Sequence, residues 1–240
     1  MTTLFLSDLH IDAGSPEITR QFVGIVDGEA RDAEALYILG DLFESWVGDD
    51  AADPHQAIAI DALKSLTDAG VPCFVMHGNR DFLLGAGFCA RSGARLLPDP
   101  VILNLYGEPV LVMHGDALCT DDLPYQRLRA TVRDPDWQRQ FLALSVAARR
   151  SLAGAARVGS QVHTAQLEYT IADVNPDSVK AALRAAGTST LLHGHTHRPA
   201  IHPFSMDGRA CTRIVLGDWH VGASLLRWDP AGPELASLPR

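Results

Sequence analysis

The chain has 240 residues, a net charge of −9 at pH 7 and 47% hydrophobic residues, which suits a folded protein with a substantial core. The negative charge argues against a general nucleic-acid binder, because such a protein needs Lys and Arg to neutralise phosphates. No apolar run approaches the roughly 20 residues that span a bilayer, and the first residues lack the layout of a signal peptide, so we expect a cytoplasmic protein.

Short apolar runs that predict buried strands alternate with helical patterns in the first third of the chain. These runs cover residues 4–6, 35–39 and 73–76. Ser15-Pro16 predicts the start of a helix that continues toward residue 30, and Asp53-Pro54 predicts a second helix, which Gly70 ends. This alternation indicates an α/β protein.

A different pattern follows, with a hairpin at 101–113, a helical segment at about 122–173 and a mixed region to the end. Within the helical segment, Asp134-Pro135 predicts a helix start, and Trp137, Phe141, Leu144 and Ala148 form one apolar stripe. Beyond it we predict a helix at 175–187, strands at 190–192, 200–204, 209–216 and 223–228, and a tight turn at Asp207-Gly208. We interpret the chain as one domain, 1–240, with a helical cap inserted at about 122–173.

Side chains able to bind metal ions follow five of the predicted strands. They are Asp8 and His10, Asp41, Asn79, His114, and the histidines within 193–197. Loops at one edge of an α/β fold converge, so these groups can meet. The alternative is that each one merely caps or solvates its own loop. A shared site explains better why each group follows an apolar run and has a glycine nearby.

Such a ligand set suits a pair of divalent ions. Two ions roughly 3.5–4 Å apart can clamp the attacking and leaving oxygens of a phosphoryl transfer, and they lower the pKa of a bound water from ~15.7 toward ~7. Asp41 is the natural bridging carboxylate, and no serine or cysteine nucleophile is required. Histidine and carboxylate ligands without thiolate favour manganese, iron or zinc over copper.

Five blocks of this sequence resemble the signature motifs of the calcineurin-like metallophosphoesterases, in the same order. They are 8–10, 40–41, 78–81, 114–116 and 194–197. The resemblance implies an α/β fold, a β-sandwich flanked by helices with a helical cap. It also implies one metal held by Asp8, His10, Asp41 and His197 and a second held by Asp41, Asn79, His114 and His195, with Mn²⁺ as the expected ion.

Longer motifs narrow the resemblance to a branch of that family. They are 7–10, 40–44, 77–83, 173–175, 193–199 and 216–219. This branch hydrolyses the pyrophosphate bond of a UDP-linked 2,3-diacylated glucosamine in lipid A biosynthesis, by water attack at the α-phosphorus. The alternatives are a relative acting on a soluble nucleotide or phosphoprotein, and a non-catalytic scaffold. A scaffold predicts missing ligands, whereas all seven positions are filled.

The resemblance also implies a set of substrate contacts. They are Asn79, Arg80, Asp122, Arg157, Ser160, Thr164, Leu167 and His195. Arg80 would stabilise charge on the phosphoryl oxygens, and the alternative is an ordinary salt-bridging loop residue. Thr164 and Leu167 stand where the family typically has asparagine and lysine. The missing lysine removes a cation that could contact the phosphate.

Residues 123–167 hold seven arginines and two acidic residues, a local balance of +5 in an acidic protein. This basic segment suits an anionic amphiphile or an anionic membrane surface, with Arg149 and Arg150 as candidate contacts. The alternative is that its aromatic residues are core and its arginines a solvated face, and both can hold. We expect a monomer, peripheral on the cytoplasmic face of the inner membrane, that does not bind nucleic acid.

The remaining histidines and the cysteines have ordinary interpretations. His77 and His193, beside the predicted ligands, are expected to support them by hydrogen bonding. The four cysteines are far apart and form no Cys-x-x-Cys pair, so we expect reduced, mostly buried thiols.

Overall fold

The computed structural model describes residues 2–166, 173–220 and 222–238, and for residues 158–166 it describes the backbone alone. The helices of these residues are α1 (Pro16–Asp27), α2 (Pro54–Asp68), α3 (Ala86–Ser92), α4 (Leu123–Val132), α5 (Pro135–Leu142), α6 (Val146–Gln166) and α7 (Pro176–Ala186). The strands are β1 (Thr3–Leu6), β2 (Ala35–Ile38), β3 (Cys73–Met76), β4 (Arg95–Leu97), β5 (Val101–Leu105), β6 (Glu108–Val112), β7 (Thr190–His193), β8 (Ala200–Met206), β9 (Arg209–Val215), β10 (Ser224–Asp229) and β11 (Gly232–Ser237).

Across the described ranges, these strands form two sheets. One has the order β11-β10-β1-β2-β3-β4 and the other β5-β6-β7-β9-β8. Strands β1 to β4 are parallel, as are β6, β7 and β9. Parallel strands end at the same edge of a sheet, so the loops that follow them emerge together.

The apolar run of β1 is explained by its position between two cores. Leu4 and Leu6 pack in the cluster that contains α1 and α2 side chains, whereas Phe5 points to the other side and packs between the sheets. Side chains alternate along a strand, so a strand covered on both faces must be apolar throughout. A third cluster places α7 against the outer face of the second sheet, which gives a layered α-β-β-α sandwich.

The helices begin where the sequence predicts, but one of the predicted capping residues makes no capping hydrogen bond. Asp53 accepts backbone N–H bonds in a complete capping box with Gln56, and the side chains of Asp134 and Asn175 each accept two backbone N–H bonds at the starts of α5 and α7. The side chain of Ser15 makes no capping hydrogen bond within the described structure. Among the described helices, none is both long and apolar enough to cross a bilayer.

The cap region differs from the predicted single stripe. Helix α5 ends at Leu142 and α6 begins at Val146, so the stripe is divided between two helices. Trp137 and Phe141 stack with ring centroids 5.0 Å apart and line a cavity, and Phe141 also packs against the main core. The Asp207-Gly208 turn is as predicted, with positive φ at both residues, as a type I′ hairpin requires.

Candidate functional site

The seven side chains predicted as metal ligands lie together where β1, β2, β3, β6 and β7 end. Five of these residues have φ between 52° and 65°, the left-handed region that non-glycine residues seldom adopt, and they are Asp8, His10, Asp41, His195 and His197. Each such residue costs of order 1–3 kcal/mol, and such strain concentrates at functional sites. The backbone itself therefore marks this cluster as a site.

Asp8, His10 and His197 form one end of the cluster. The Nε2 atom of His197 lies 3.5 Å from Oδ1 of Asp8 and 3.4 Å from Nε2 of His10. Asp8 is fully buried, and its Oδ1 has no hydrogen-bond partner in the described part of the chain. Three ligand atoms of this kind within 4.8 Å of one another can hold a metal ion.

Asp41, Asn79, His114 and His195 form the other end. Oδ1 of Asn79 lies 3.0 Å from Nε2 of His114 and 2.8 Å from Nδ1 of His195. Oδ2 of Asp41 lies 3.9 Å from Nε2 of His114 and 3.8 Å from Nε2 of His10, so this carboxylate lies between the two ends.

Three imidazole rings have an oxygen atom close to the ring nitrogen that faces away from the cluster. In His10, Nδ1 lies 2.8 Å from Glu44, and in His197 it lies 3.1 Å from Asp218. In His114, Nδ1 lies 2.8 Å from the Leu39 carbonyl oxygen. Each contact leaves Nε2 directed into the cluster. This pairing of a ring N–H with an oxygen is the usual support for histidines that bind metals.

The loops that carry the site are held by one buried carboxylate and by close glycine contacts. Asp81 accepts the backbone N–H groups of residues 41, 42, 43 and 78. A Cβ at Gly78 would lie 2.0 Å from Oδ1 of Asp41, and one at Gly194 would lie 2.3 Å from Oδ2 of Asp8. Only glycine allows these carboxylates to approach so closely.

The electrostatic field in the cluster favours positive charge. Burial would raise the pKa of Asp8, but the His197 imidazole, 3.5 Å from Oδ1, and the other nearby imidazoles hold that pKa well below its usual value. Burial disfavours a charged His114, yet the carboxylates around it, Asp41 foremost, raise its pKa to about 9. Likewise Asp218 and Asp8 raise the pKa of His197 to about 10 against the effect of burial.

A divalent metal pair fits this arrangement. The donors are imidazole nitrogens, carboxylate oxygens and one amide oxygen, the orphaned Oδ1 of Asp8 needs a positive partner, and a carboxylate lies between the two ends. This donor set suits hard or intermediate divalent ions.

A cavity of about 590 Å³ extends from Asn79 and Arg80 beneath the cap helices α4, α5 and α6. Its lining is mainly apolar and includes Phe82, Trp137 and Phe141. Cavities of this size bind small molecules. The site therefore joins a metal-type cluster to an apolar chamber.

Two sets of contacts hold the cap against the body. Near the cluster, buried Asp116 accepts hydrogen bonds from Tyr125 at 2.6 Å and from Nε of Arg129 at 2.8 Å, and the Tyr125 ring stacks on His195. Farther away, buried Arg149 donates to Asp50 and to the Val47 carbonyl oxygen.

The expectation that Arg149 and Arg150 face a membrane surface is wrong for Arg149. Its side chain is 3% exposed, donates to Asp50 and the Val47 carbonyl oxygen of the body, and donates from Nε to the Leu144 carbonyl oxygen of the cap. Arg150 donates from Nη2 to the Ala51 carbonyl oxygen at 3.0 Å, so it also contributes to attachment of the cap. These arginines join two parts of the fold, for which the charge count alone gave no indication.

The predicted substrate contacts lie in different places. Arg80 and Arg157 line the cavity, and Nε of Arg157 lies 2.9 Å from Glu44. Asp122 caps α4 by accepting the Tyr125 N–H, and it does not line the cavity as formed by the described residues. Ser160 and Thr164 are described only by their backbone, and Leu167 lies outside the described residues.

Sequence reasoning assigned no role to three carboxylates that support the site, Glu44, Asp116 and Asp218. Asp116 lies within the block 114–116, and Glu44 and Asp218 lie within the longer motifs 40–44 and 216–219, so their place in these motifs was the available signal. His193, expected to support the ligands, is buried with its pKa lowered by burial to about 4, and its Nδ1 lies 2.8 Å from the Gly194 carbonyl oxygen. All four cysteines are free, and three of them are buried as expected.

Comparison with known proteins agrees with this geometry. UDP-2,3-diacylglucosamine hydrolases from Stenotrophomonas maltophilia (strain K279a) and Xanthomonas oryzae pv. oryzae (strain PXO99A) are 52% and 51% identical to the chain, over 100% and 98% of both sequences. The solved structure of a novel archaeal phosphodiesterase has the same fold, with a TM-score of 0.50 at 12% identity over 99% of this chain and 100% of that one. The family model for calcineurin-like phosphoesterases matches residues 1–199. The resemblance and the fold class inferred from the motifs are therefore confirmed, and the chain belongs to the calcineurin-like phosphoesterase family of hydrolases.

Proposed function

We propose that this protein hydrolyses the pyrophosphate bond of UDP-2,3-diacylglucosamine and releases UMP and 2,3-diacylglucosamine 1-phosphate, a step of lipid A biosynthesis. The names of the relatives at 52% and 51% identity support this substrate. The observation that carries the proposal is the apolar cavity of about 590 Å³ that opens directly from Asn79 and Arg80. A phosphoesterase for soluble nucleotides has no need of such a chamber beside its reacting phosphate.

Two divalent ions, proposed to be Mn²⁺, would be held by the seven clustered side chains. One would take Asp8, His10, Asp41 and His197, and the other Asp41, Asn79, His114 and His195. Ions bound there supply a hydroxide nucleophile at neutral pH and neutralise charge on the phosphoryl oxygens.

Arg80 and Arg157 line the cavity near the cluster and can meet the anionic part of the substrate. Glu44 lies 2.9 Å from Nε of Arg157 and 3.9 Å from Nη1 of Arg80, so one carboxylate places both guanidinium groups beside the reacting phosphates. A guanidinium that is held in advance stabilises developing charge without further reorganisation. In the reaction, water oxygen bonds to the α-phosphorus, the bond from that phosphorus to the bridging oxygen breaks, and the sugar phosphate leaves.

The test is release of UMP from UDP-2,3-diacylglucosamine by purified protein in detergent with Mn²⁺. We expect this release to be much faster than hydrolysis of UDP-glucose, which has the same pyrophosphate and no acyl chains. Equal rates for the two would favour a phosphoesterase of soluble nucleotides. A protein that binds Mn²⁺ and cleaves neither compound would overturn the proposal.

We propose further that the protein acts as a monomer at the cytoplasmic face of the inner membrane, with the cap against the lipid. Exposed leucines surround the cap, and three of them, Leu128, Leu144 and Leu152, also line the cavity and so lie at its opening. Arg127 and Arg139 are exposed on the same helices and can meet anionic headgroups. Acyl chains could then pass from the bilayer into the cavity.

This placement can be tested by flotation with phosphatidylglycerol vesicles. Leu123 and Leu142 are exposed cap residues outside the cavity lining, and their joint replacement by Glu should weaken vesicle binding. Ile102→Glu, equally exposed on β5 of the body, is the matched control. Unchanged flotation of the double variant would show that the cap is not the membrane-facing surface.

A further inference from the structure

A second cavity, of about 460 Å³, lies between the start of α1 and the loop after β9. Its lining residues are Glu17, Ile18, Arg20, Gln21, Trp219 and His220, and this cavity is called the α1 pocket below. Among the described residues, it shares no lining residue with the cavity under the cap. Its volume lies within the ~300–1,000 Å³ typical of ligand sites.

The α1 pocket borders the Asp8, His10 and His197 end of the ligand cluster. The ring centroid of His220 lies 6.2 Å from that of His10, and the backbone N–H of Trp219 donates to the Asp8 carbonyl oxygen at 3.3 Å. The cap cavity instead borders Asn79 and Arg80 at the other end. The predicted metal ligands therefore lie between two separate cavities.

The two cavities differ in chemistry. The cap cavity has a mainly apolar lining beside its arginines and Glu44, whereas four of the six residues that line the α1 pocket have polar side chains. The exposed imidazole of His220 offers a face on which a base can stack, and the buried indole of Trp219 forms a wall behind it. The amide of Gln21 can donate and accept hydrogen bonds, and exposed Glu17 and Arg20 can meet ribose hydroxyls and a phosphate. This combination suits a nucleotide and is unsuitable for an acyl chain.

We propose that the α1 pocket binds the nucleoside monophosphate half of the substrate while the acylated sugar occupies the cap cavity. The scissile pyrophosphate then crosses the ligand cluster, and the two products are formed in separate cavities. This inference rests on the proposed function, and it adds a specificity site on α1 and on the loop after β9. Neither segment contributes a predicted substrate contact.

The test measures UMP affinity and substrate selectivity in the Mn²⁺-loaded enzyme. Arg20→Ala and Gln21→Leu should each weaken UMP binding about tenfold or more, read as the inhibition constant of UMP. They should also reduce kcat/KM for UDP-2,3-diacylglucosamine more than for bis(p-nitrophenyl) phosphate, which has no nucleoside. Arg91→Ala, an exposed cation on α3 outside both cavities, should leave all three quantities unchanged.

The outcomes separate this inference from the proposed function. Wild-type enzyme that releases no UMP from the lipid substrate overturns the proposed function and this inference with it. Wild-type enzyme that does release UMP, together with Arg20 and Gln21 variants that keep wild-type UMP inhibition, overturns the α1 pocket alone. A loss of selectivity in these variants with full metal content by elemental analysis supports the pocket.

Discussion

Glu44 lies 2.8 Å from Nδ1 of His10, on the side of the imidazole ring opposite the nitrogen that faces the ligand cluster. The same carboxylate lies 2.9 Å from Nε of Arg157 on the cap helix α6. Burial would raise the pKa of Glu44, but the bond to His10 and the charges of Arg80 and Arg157 hold it below its usual value. One ionised side chain therefore connects a proposed metal ligand to the cap.

Replacing Glu44 by Gln should weaken metal binding by roughly 10- to 100-fold, the usual effect of losing the partner that orients a metal-binding histidine. The measurement is Mn²⁺ affinity by titration, together with kcat at saturating Mn²⁺. Glu108→Gln, an exposed glutamate on β6, is the control. Wild-type Mn²⁺ affinity in the Glu44 variant would show that this carboxylate serves the cap alone.

Asp41 lies between the two ends of the cluster, so its removal should affect both proposed ions. We expect Asp41→Ala to lose bound metal and to reduce hydrolysis at least about 100-fold, because this carboxylate is proposed to bind both ions. Elemental analysis and UMP release test this. Asp61→Ala, at an exposed position of α2, should retain both properties. Full metal occupancy in the Asp41 variant would contradict the bridging role.

A larger side chain on α6 can fill the cap cavity, where we propose that the acyl chains bind. Ala153 lines the cavity, whereas nearby Ala155 is exposed and does not line the cavity formed by the described residues. Ala153→Phe should therefore raise KM for the diacylated substrate about tenfold or more, and Ala155→Phe should not. Hydrolysis of bis(p-nitrophenyl) phosphate should persist in both. An unchanged KM in the Ala153 variant would mean that the acyl chains bind elsewhere.

Arg149 holds the cap to the body through hydrogen bonds to Asp50 and to the backbone carbonyl oxygen of Val47. Its truncation to Ala leaves the buried Val47 carbonyl oxygen without its charged donor and should lower the free energy of unfolding by about 2 kcal/mol. Denaturant unfolding measures this cost. Arg139→Ala removes an exposed arginine of the same cap, which pairs with exposed Asp136, and should change stability by less than about 0.5 kcal/mol. Equal effects of the two substitutions would contradict the anchoring role of Arg149.

Two thiols should resist alkylation in the folded protein. Burial raises the pKa of Cys73 and of Cys119 to about 12, so at pH 8 neither forms appreciable thiolate. In the unfolded chain these thiols ionise near pH 9, so unfolding free energy should fall as the pH rises from about 9 to about 12. Iodoacetamide labelling at pH 8 followed by mass spectrometry tests the first statement, with denatured protein as the control. Fast labelling of Cys73 in native protein would show that β3 opens readily.

Much of the fold was predictable because strand and helix signals agree along most of the chain. The elements that were missed have physical reasons. β4 has three residues, too few for a pattern, and β11 begins with Gly232 and Pro233, which are typical of turns but are tolerated in an edge strand. Helix α3 has seven residues, one of them Gly87, so its helical period is weak.

The predicted ligands were recognisable because each follows a buried strand, which fixes its place at one sheet edge. Their supporting partners were not recognisable in the same way. Glu44 and Asp218 are ordinary acidic loop residues in sequence, and only the folded loops turn them toward His10 and His197. The α1 pocket combines two segments almost 200 residues apart, and no local pattern connects them.

The left-handed backbone at five of the predicted ligand positions limits how the proposed metal centre can be transplanted into another protein. At roughly 1–3 kcal/mol for each residue, the strained turns together cost about as much as the entire stability of a typical domain. A designer who copied the seven side chains onto regular strands would obtain relaxed loops that direct the donors elsewhere. The recipient scaffold would also need a carboxylate that accepts the loop N–H groups as Asp81 does, and glycines at the places of Gly78 and Gly194. These features constrain the chain before any ion arrives.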